Sequence, residues 1–238
     1  DVVGNDINRA VVFRLGPQWH RCYGRIHHIA IDGYGAGQLL ARGAQLYSAA
    51  TQGYSPPPCR AMSLEDVVAS DRDYRRSPRF LADRDYWRDN LAGLDRVTRL
   101  TDRHAPPSAH PHVSRVRLDS TTMSQLGDVG GRTDARITEV IVAAVVVYLA
   151  QMTGDPDVTL SLPVAARTTA ALRRSAGMVS NVVPLRVKGV PAHTVDDLVR
   201  QVRVGIIGAL RHQLYRHEDL LRDLGAGVAG RSGYGPMI

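Results

Sequence analysis

The chain has 238 residues, 44% hydrophobic and 22% charged, which is typical of a globular domain with a sizeable core. The net charge is +7. Its arginines are scattered and aromatic residues make up only 5%, whereas a nucleic-acid-binding surface would need clustered basic residues. The positive charge would equally attract an acidic protein partner. The two cysteines, Cys22 and Cys59, lack metal-ligand spacing and predict reduced thiols in a cytoplasmic protein.

The start of the chain lacks the charged and apolar regions of a signal peptide. The most apolar stretch, 137–150, is shorter than the roughly 20 residues that span a bilayer. We therefore expect a buried helix there and no membrane partner.

The first part of the chain predicts two strands and three helices. Strands 9–15 and 19–26 flank Gly16-Pro17, and the second runs straight into a double histidine. Apolar residues at three- and four-residue spacing then predict a helix at 36–50. Two further helices are predicted at 64–75 and 79–91, and Ser63 is a plausible N-cap of the first of these.

A proline-rich segment, 104–111, is the best linker candidate in the sequence. The elements predicted beyond it alternate between strands and helices. They are a strand at 113–118, helices at 121–129 and 138–152, strands at 157–163 and 179–188, and helices at 194–214 and 217–224. This mixed order predicts an α/β (α+β) fold with two lobes.

The segment that carries chemistry is His27-His28-Ile29-Ala30-Ile31-Asp32-Gly33. If both histidines lie on the end of a strand, they point to opposite faces, so a two-histidine metal site is disfavoured and we expect no metal. One imidazole is suited to acid–base chemistry or to positioning a nucleophile. Spacing alone favours a structural histidine and an ordinary turn, with Gly33 allowing unusual backbone angles or close substrate approach.

His27-His28-x-x-x-Asp32-Gly33 resembles the HHxxxDG motif of the condensation domains of nonribosomal peptide synthetases. Three later segments resemble the family in order and spacing: Leu162 to Arg167, Gly177 to Arg186, and His212 to Glu218. Together these matches cover nearly the whole chain. We expect the chain to be a condensation domain truncated at both ends.

The resemblance implies two chloramphenicol acetyltransferase-like lobes around a central tunnel, here incomplete. Residues 1–105 would be the remainder of the N-terminal lobe with the motif. Residues 106–112 would be a linker, and residues 113–238 an incomplete C-terminal lobe.

The resemblance also implies amide formation between a donor aminoacyl or peptidyl thioester and an acceptor aminoacyl thioester. Both would be carried on phosphopantetheine arms of peptidyl carrier domains, beside an adenylation domain. The domain itself would bind no cofactor.

For this sequence, the resemblance implies four catalytic candidates: His28, His27, Asp32 and Gly33. His28 would face the tunnel and act as a base or position the amine. His27 would be structural, and Gly33 would shape the loop or lend an N–H to the oxyanion. Asp32 would be architectural, paired with one of two arginines. The salt-bridge candidates are Arg25 and Arg167, and the tunnel candidates are Tyr34, Ser180 and Asn181.

Three alternatives remain at this point. An epimerisation domain and a stand-alone acyltransferase share the motif. A non-catalytic carrier-docking module would need no reactive histidine.

Overall fold

The computed structural model describes residues 4, 6–101, 110, 112–225 and 233–238. The regular elements of these residues are, in chain order, β1 (Asn8–Arg14), β2 (His20–Ile26), α1 (Gly33–Gln52), α2 (Leu64–Arg75), α3 (Pro78–Asn90), α4 (Ser120–Thr133), α5 (Ile137–Thr153), β3 (Val158–Val164), β4 (Asn181–Val187), α6 (Val195–Arg211) and α7 (His217–Leu224). Two single-turn 3-10 helices, Leu172–Arg174 and Val190–Ala192, complete the list. Mixed helices and strands confirm the predicted fold class.

The chain forms two compact units that are not continuous in sequence. One takes in Asp1–Ser77 and Ala165–Ser180, and the other takes in Pro78–Val164 and Asn181–Ile238, each over its described residues. The connection between β3 and β4 therefore packs in the first unit. The predicted lobe boundary near residue 105 and most of the predicted linker lie outside the described residues, so both stay predictions.

The first unit begins with an antiparallel hairpin, in which Asn8 pairs with Ile26 and Arg14 with His20. Its strands are largely exposed on both faces. The chain then turns into α1, which ends at Gly53 in the left-handed conformation with φ 72°. The hairpin and helix bring the HHxxxDG segment to the junction between them.

The second unit is built on the antiparallel pair β3–β4, in register from Val158 opposite Val187 to Val164 opposite Asn181. Helix α5 packs in the main core, with Val146 and Leu149 almost fully buried. Burying one such side chain stabilises the fold by roughly 1.5–3 kcal/mol. A further cluster gathers around the buried Trp87.

The helices and most strands lie where the sequence predicts them, within a few residues at each end. The predicted strand 113–118 is wrong. Residues 112–119 have no regular structure and are exposed, with Val116 84% accessible. Alternation alone does not make a strand, because the backbone also needs a neighbour to pair with.

Among the described residues, no single helix is long and apolar enough to cross a membrane. Only α4 and α5 counted as one span meet both criteria, and that pair is bent by 100°.

Candidate active site

The HHxxxDG segment lies in a turn after β2, not on the strand itself. The strand ends at Ile26, and the backbone N–H of His27 then donates to the carbonyl oxygen of Ile7 at 2.7 Å. His27 Nδ1 accepts a 3.1 Å hydrogen bond from the N–H of Ile29. The strand rule that set the two histidines on opposite faces therefore does not apply. His27 instead holds the turn.

His28 is the first residue of this turn and is exposed. Within the described ranges its imidazole makes no hydrogen bond or ion pair, unlike that of His27. The ring is thus free to meet another molecule.

Asp32 is the central anchor of the segment, with only 3% of its surface exposed. It is the N-cap of α1, and Oδ1 accepts from the Gly35 N–H at 2.8 Å. Oδ2 accepts from the N–H groups of Val179 and Ser180, both at 2.9 Å. Burial alone would raise the pKa of Asp32. The hydrogen bonds from Arg167 and these three amides outweigh it and hold the pKa well below its usual range.

Arg167 is the ion-pair partner of Asp32. Its Nη1 and Nη2 donate to Oδ2 and Oδ1 at 2.8 and 2.9 Å, a bidentate geometry. The same guanidinium donates to the carbonyl oxygens of Ser175 and Gly177. Arg25 lies on the exposed strand β2 and, among the described residues, does not pair with Asp32.

Both oxygens of Asp32 are engaged by these donors. This arrangement suits the architectural role that the family resemblance implies. It ties the start of α1 to the segment 165–180, which lies far along the sequence.

Tyr34 packs against this ion pair. Its ring lies 4.4 Å from the Arg167 Cζ atom, within cation–π range, and its hydroxyl donates to the Arg173 carbonyl oxygen at 3.1 Å. Ser180 contributes its backbone N–H to Asp32, and its hydroxyl lies 3.6 Å from the Met178 sulfur. Tyr34 and Ser180 thus stabilise the anchor of the motif, and their predicted tunnel role stays a prediction.

The glycine at position 33 does not use the backbone freedom that we expected of it. Gly33 is the first residue of α1, and a Cβ placed on it would meet no described residue within 4 Å. The close approach occurs at Gly35, where a Cβ would lie 2.1 Å from the Ala176 carbonyl oxygen. Glycines alternate at positions 33, 35 and 37 of the sequence, but this spacing does not show which of them is crowded.

Asn181 lies in the second unit and its amide is fully engaged. Nδ2 donates to the carbonyl oxygens of Gln213 and Tyr215 at 2.9 and 2.7 Å, and Oδ1 accepts from the N–H groups of Val182 and His217. An amide side chain that makes these four bonds has little capacity left for a substrate. In the structure Asn181 clamps the junction between α6 and α7, and its tunnel role stays a prediction.

The His212–Glu218 segment forms that junction. His212 Nδ1 lies 2.7 Å from the buried Asp83 Oδ1, and its ring stacks on Tyr86 with the centroids 3.8 Å apart. Arg186, which closes the other motif, pairs with Asp157 at 2.5 Å. These residues organise the second unit.

Sequence reasoning missed a polar pair beside this junction. The His217 Nδ1 lies 3.0 Å from the Tyr234 hydroxyl, and burial lowers the pKa of His217 and raises that of Tyr234. No spacing rule connects residues on a helix and on a distant terminal segment, so the sequence held no signal for the pair.

The family model described as "Condensation domain" matches residues 4–231. A dimodular nonribosomal peptide synthase of Bacillus subtilis is 33% identical over 95% of this chain, which covers 10% of that protein. An isonitrile lipopeptide synthase of Streptomyces coeruleorubidus is 34% identical over 92% of the chain, which covers 15% of it.

Solved structures agree with the family match. The first condensation domain of the calcium-dependent antibiotic synthetase, in complex with a substrate analogue, aligns over 97% of this chain with a TM-score of 0.80 and 32% identity. A starter condensation domain of rhizomide synthetase in complex with C8-CoA aligns over 99%, with a TM-score of 0.81 and 30% identity. This chain spans 53% of the length of each. The chain belongs to the condensation-domain family of nonribosomal peptide synthetases.

Proposed function

We propose that this chain is the motif-bearing part of a domain that forms an amide bond between two carrier-bound substrates. The observation that carries the proposal is the family match over residues 4–231, with His28 and Asp32 inside it. The buried pair of Asp32 with Arg167 supports it, because the pair holds the loop on which His28 stands.

In this reaction the acceptor amine attacks the carbonyl carbon of the donor thioester. The new C–N bond forms, the C–S bond breaks, and the donor carrier leaves as a thiol that takes up the amine proton. The acceptor keeps its own thioester and gains the donor acyl group. Holding amine and thioester in near-attack geometry can supply about 7–11 kcal/mol of the barrier at best.

His28 is the residue we place at the reacting amine. Its exposed imidazole can accept the amine proton or hold the amine in line by a hydrogen bond. The first-turn N–H groups of α1, at Gly33 and Tyr34, lack acceptors within the helix. We assign to them the stabilisation of the negative charge that would develop on the thioester oxygen.

The substrates would arrive on phosphopantetheine arms of a donor and an acceptor carrier domain, with an adenylation domain as neighbour. The curated relatives support this assignment, since they are named as peptide synthases far longer than the matched region. The domain itself would hold no cofactor.

The test uses the full-length parent protein. One carrier is loaded with a donor thioester and another with an acceptor, and the acceptor mass is followed by intact mass spectrometry. The variant is His28→Ala, and the matched control is His20→Ala on the exposed strand β2. We expect wild type and the control to transfer the donor, and His28→Ala to lose most of the transfer.

Other outcomes separate the alternatives. If free acyl-CoA replaces the loaded donor at equal rate, the domain is a stand-alone acyltransferase. Inversion of the Cα centre of one loaded aminoacyl group, without transfer, identifies epimerisation. If His28→Ala transfers the donor as well as wild type does, the proposed role of His28 is overturned. If the protein binds the carriers but catalyses no reaction, it is a docking module.

A further inference from the structure

The first unit contains a groove of about 460 Å³ between α1 and the extended segment 57–61. It runs along the helix from Gln38 to Gln45, a length of about 10 Å at 1.5 Å per residue. Arg174 and Ala176 close one side. The lining does not include the residues from His27 to Gly33, so the groove is not the motif itself.

The charge of the groove is one-sided. Three arginines line it, Arg42, Arg60 and Arg174, and none of the described lining residues is acidic. Two of these side chains are held in place by backbone acceptors. Arg42 Nη1 donates to the Pro57 carbonyl oxygen at 2.7 Å, and Arg174 Nε donates to the Arg60 carbonyl oxygen at 3.1 Å. Each keeps further N–H groups for a ligand, since a guanidinium carries five.

The rest of the lining is mostly apolar, with Leu39, Pro57 and Pro58 as its largest apolar members; Gln38 and Gln45 are its uncharged polar members. An apolar floor with a few convergent polar groups is the usual make-up of a small-molecule site, and the volume lies in the usual range. Inorganic phosphate would leave this floor uncovered. A neutral hydrocarbon would leave the three cations without a counter-charge.

We propose that this groove is a binding site for an amphipathic organic anion, with a phosphate or carboxylate on the arginines and an apolar body on Leu39, Pro57 and Pro58. Three guanidinium groups suit such an anion because they present planar N–H donors to its oxygens. A saturated chain of about eight carbons matches the 10 Å of helix along the groove.

Two free cysteines allow ligand binding in the groove to be measured, one as the reporter and the other as its control. Cys59 lines the groove and Cys22 lies on β2; both are free and exposed. In the full-length parent protein, iodoacetamide labelling of the two peptides is followed by mass spectrometry with increasing n-octyl phosphate. At ten times its Kd the probe should slow labelling of Cys59 about tenfold by simple occupancy. Labelling of Cys22 should stay unchanged.

Three arms decide the nature of the site. 1-Octanol and inorganic phosphate, at the same concentrations, should protect Cys59 far less than n-octyl phosphate does. Octanoate should protect it if a carboxylate suffices, and its failure restricts the site to phosphates. Equal protection by 1-octanol would overturn the role of the arginines, and equal protection by inorganic phosphate would overturn the role of the apolar floor.

Arg60→Gln gives the matched variant, because the Arg60 side chain is exposed and makes no hydrogen bond to the described residues. Loss of one charge-assisted contact should raise the half-protecting concentration about tenfold. Arg9→Gln removes the same charge on β1, which contributes no residue to the lining, and should leave that concentration unchanged. A shift of equal size in both variants would mean that net charge, not the groove, binds the probe, and the site would be rejected.

Discussion

The carboxylate of Asp32 and the guanidinium of Arg167 meet in two parallel hydrogen bonds, although 135 residues separate them in the chain. Both side chains are almost fully buried, at 3% and 2% exposed. Removing one partner of such a pair leaves the other as an uncompensated charge away from water. The anchor of the motif loop therefore depends on both residues together.

We expect Arg167→Gln to destabilise the parent domain by about 3–5 kcal/mol, because the Asp32 carboxylate loses its buried counter-ion. Glutamine also cannot reproduce the contacts to the Ser175 and Gly177 carbonyl oxygens. Urea unfolding of the full-length protein measures the change.

Arg200→Gln is the control. Arg200 pairs with Asp197 at 3.3 Å on the surface of α6, with both side chains about half exposed. Exposed pairs contribute at most about 1 kcal/mol. A loss for Arg167→Gln as small as that of the control would show that the buried pair does not hold the loop.

Asp32 also predicts how stability depends on pH. Its pKa in the folded protein lies well below the unfolded value of about 3.9, so the unfolded chain binds the extra proton. The stabilisation is fully present above the unfolded value and is lost as the pH falls through the folded pKa. Equilibrium unfolding at steps from pH 7 to pH 2 should show this contribution unchanged down to about pH 5 and falling below about pH 4.

Asp32→Asn should remove this acid-dependent component, because an amide does not titrate there. Asp89→Asn, at a position of α3 whose side chain is 77% exposed, should keep the wild-type slope. If the slopes of wild type and Asp32→Asn coincide below pH 4, the folded-state pKa of Asp32 is not depressed.

Helices were predictable because their signals are local. The apolar stretch 137–150 lies in α5, and Ser63 caps α2 by accepting from the Asp66 N–H at 3.1 Å. The strand predicted at 113–118 does not form. A strand needs a neighbouring strand to pair with, and the local alternation of residues does not show whether one is there.

In the candidate site, too, the local features were predictable and the long-range contacts were not. The motif identified His28 and Asp32, and Arg167 was one of two arginines that we proposed as partners of Asp32 from the family resemblance. Which arginine pairs is a fact of packing over 135 residues. The clamp role of Asn181 is equally non-local, since its four partners come from β4 and from the junction after α6.

Asn181→Ala should destabilise the second unit by about 2–4 kcal/mol, because the Gln213 and Tyr215 carbonyl oxygens and the His217 N–H lose their partner. Asn181→Asp should be at least as harmful, since a carboxylate oxygen would replace the amide nitrogen that faces two carbonyl oxygens. Urea unfolding of the parent protein measures both.

Asn8→Ala, at the exposed start of β1, is the matched asparagine and should change stability by less than about 0.5 kcal/mol. A substrate role makes the opposite prediction for Asn181. In that case Asn181→Ala would slow transfer between carriers and leave the unfolding midpoint where it was.

The two glycines at the start of α1 give a sharp comparison. A Cβ at position 35 would lie 2.1 Å from the Ala176 carbonyl oxygen, and one at position 33 would have none of the described residues within 4 Å. Gly35→Ala must therefore push α1 away from the segment that holds Arg167, at a cost of about 3 kcal/mol or more. Gly33→Ala should leave stability within about 1 kcal/mol of wild type.

Activity separates the two positions further. If substrate passes over the open backbone at Gly33, Gly33→Ala should slow donor transfer while the urea midpoint stays unchanged. Gly35→Ala should lower both, because the loop that carries His28 loses its anchor. Transfer at the wild-type rate in a stable Gly33→Ala protein would mean that the space above Gly33 is not used by substrate, and the reacting groups would then have to meet on another side of His28.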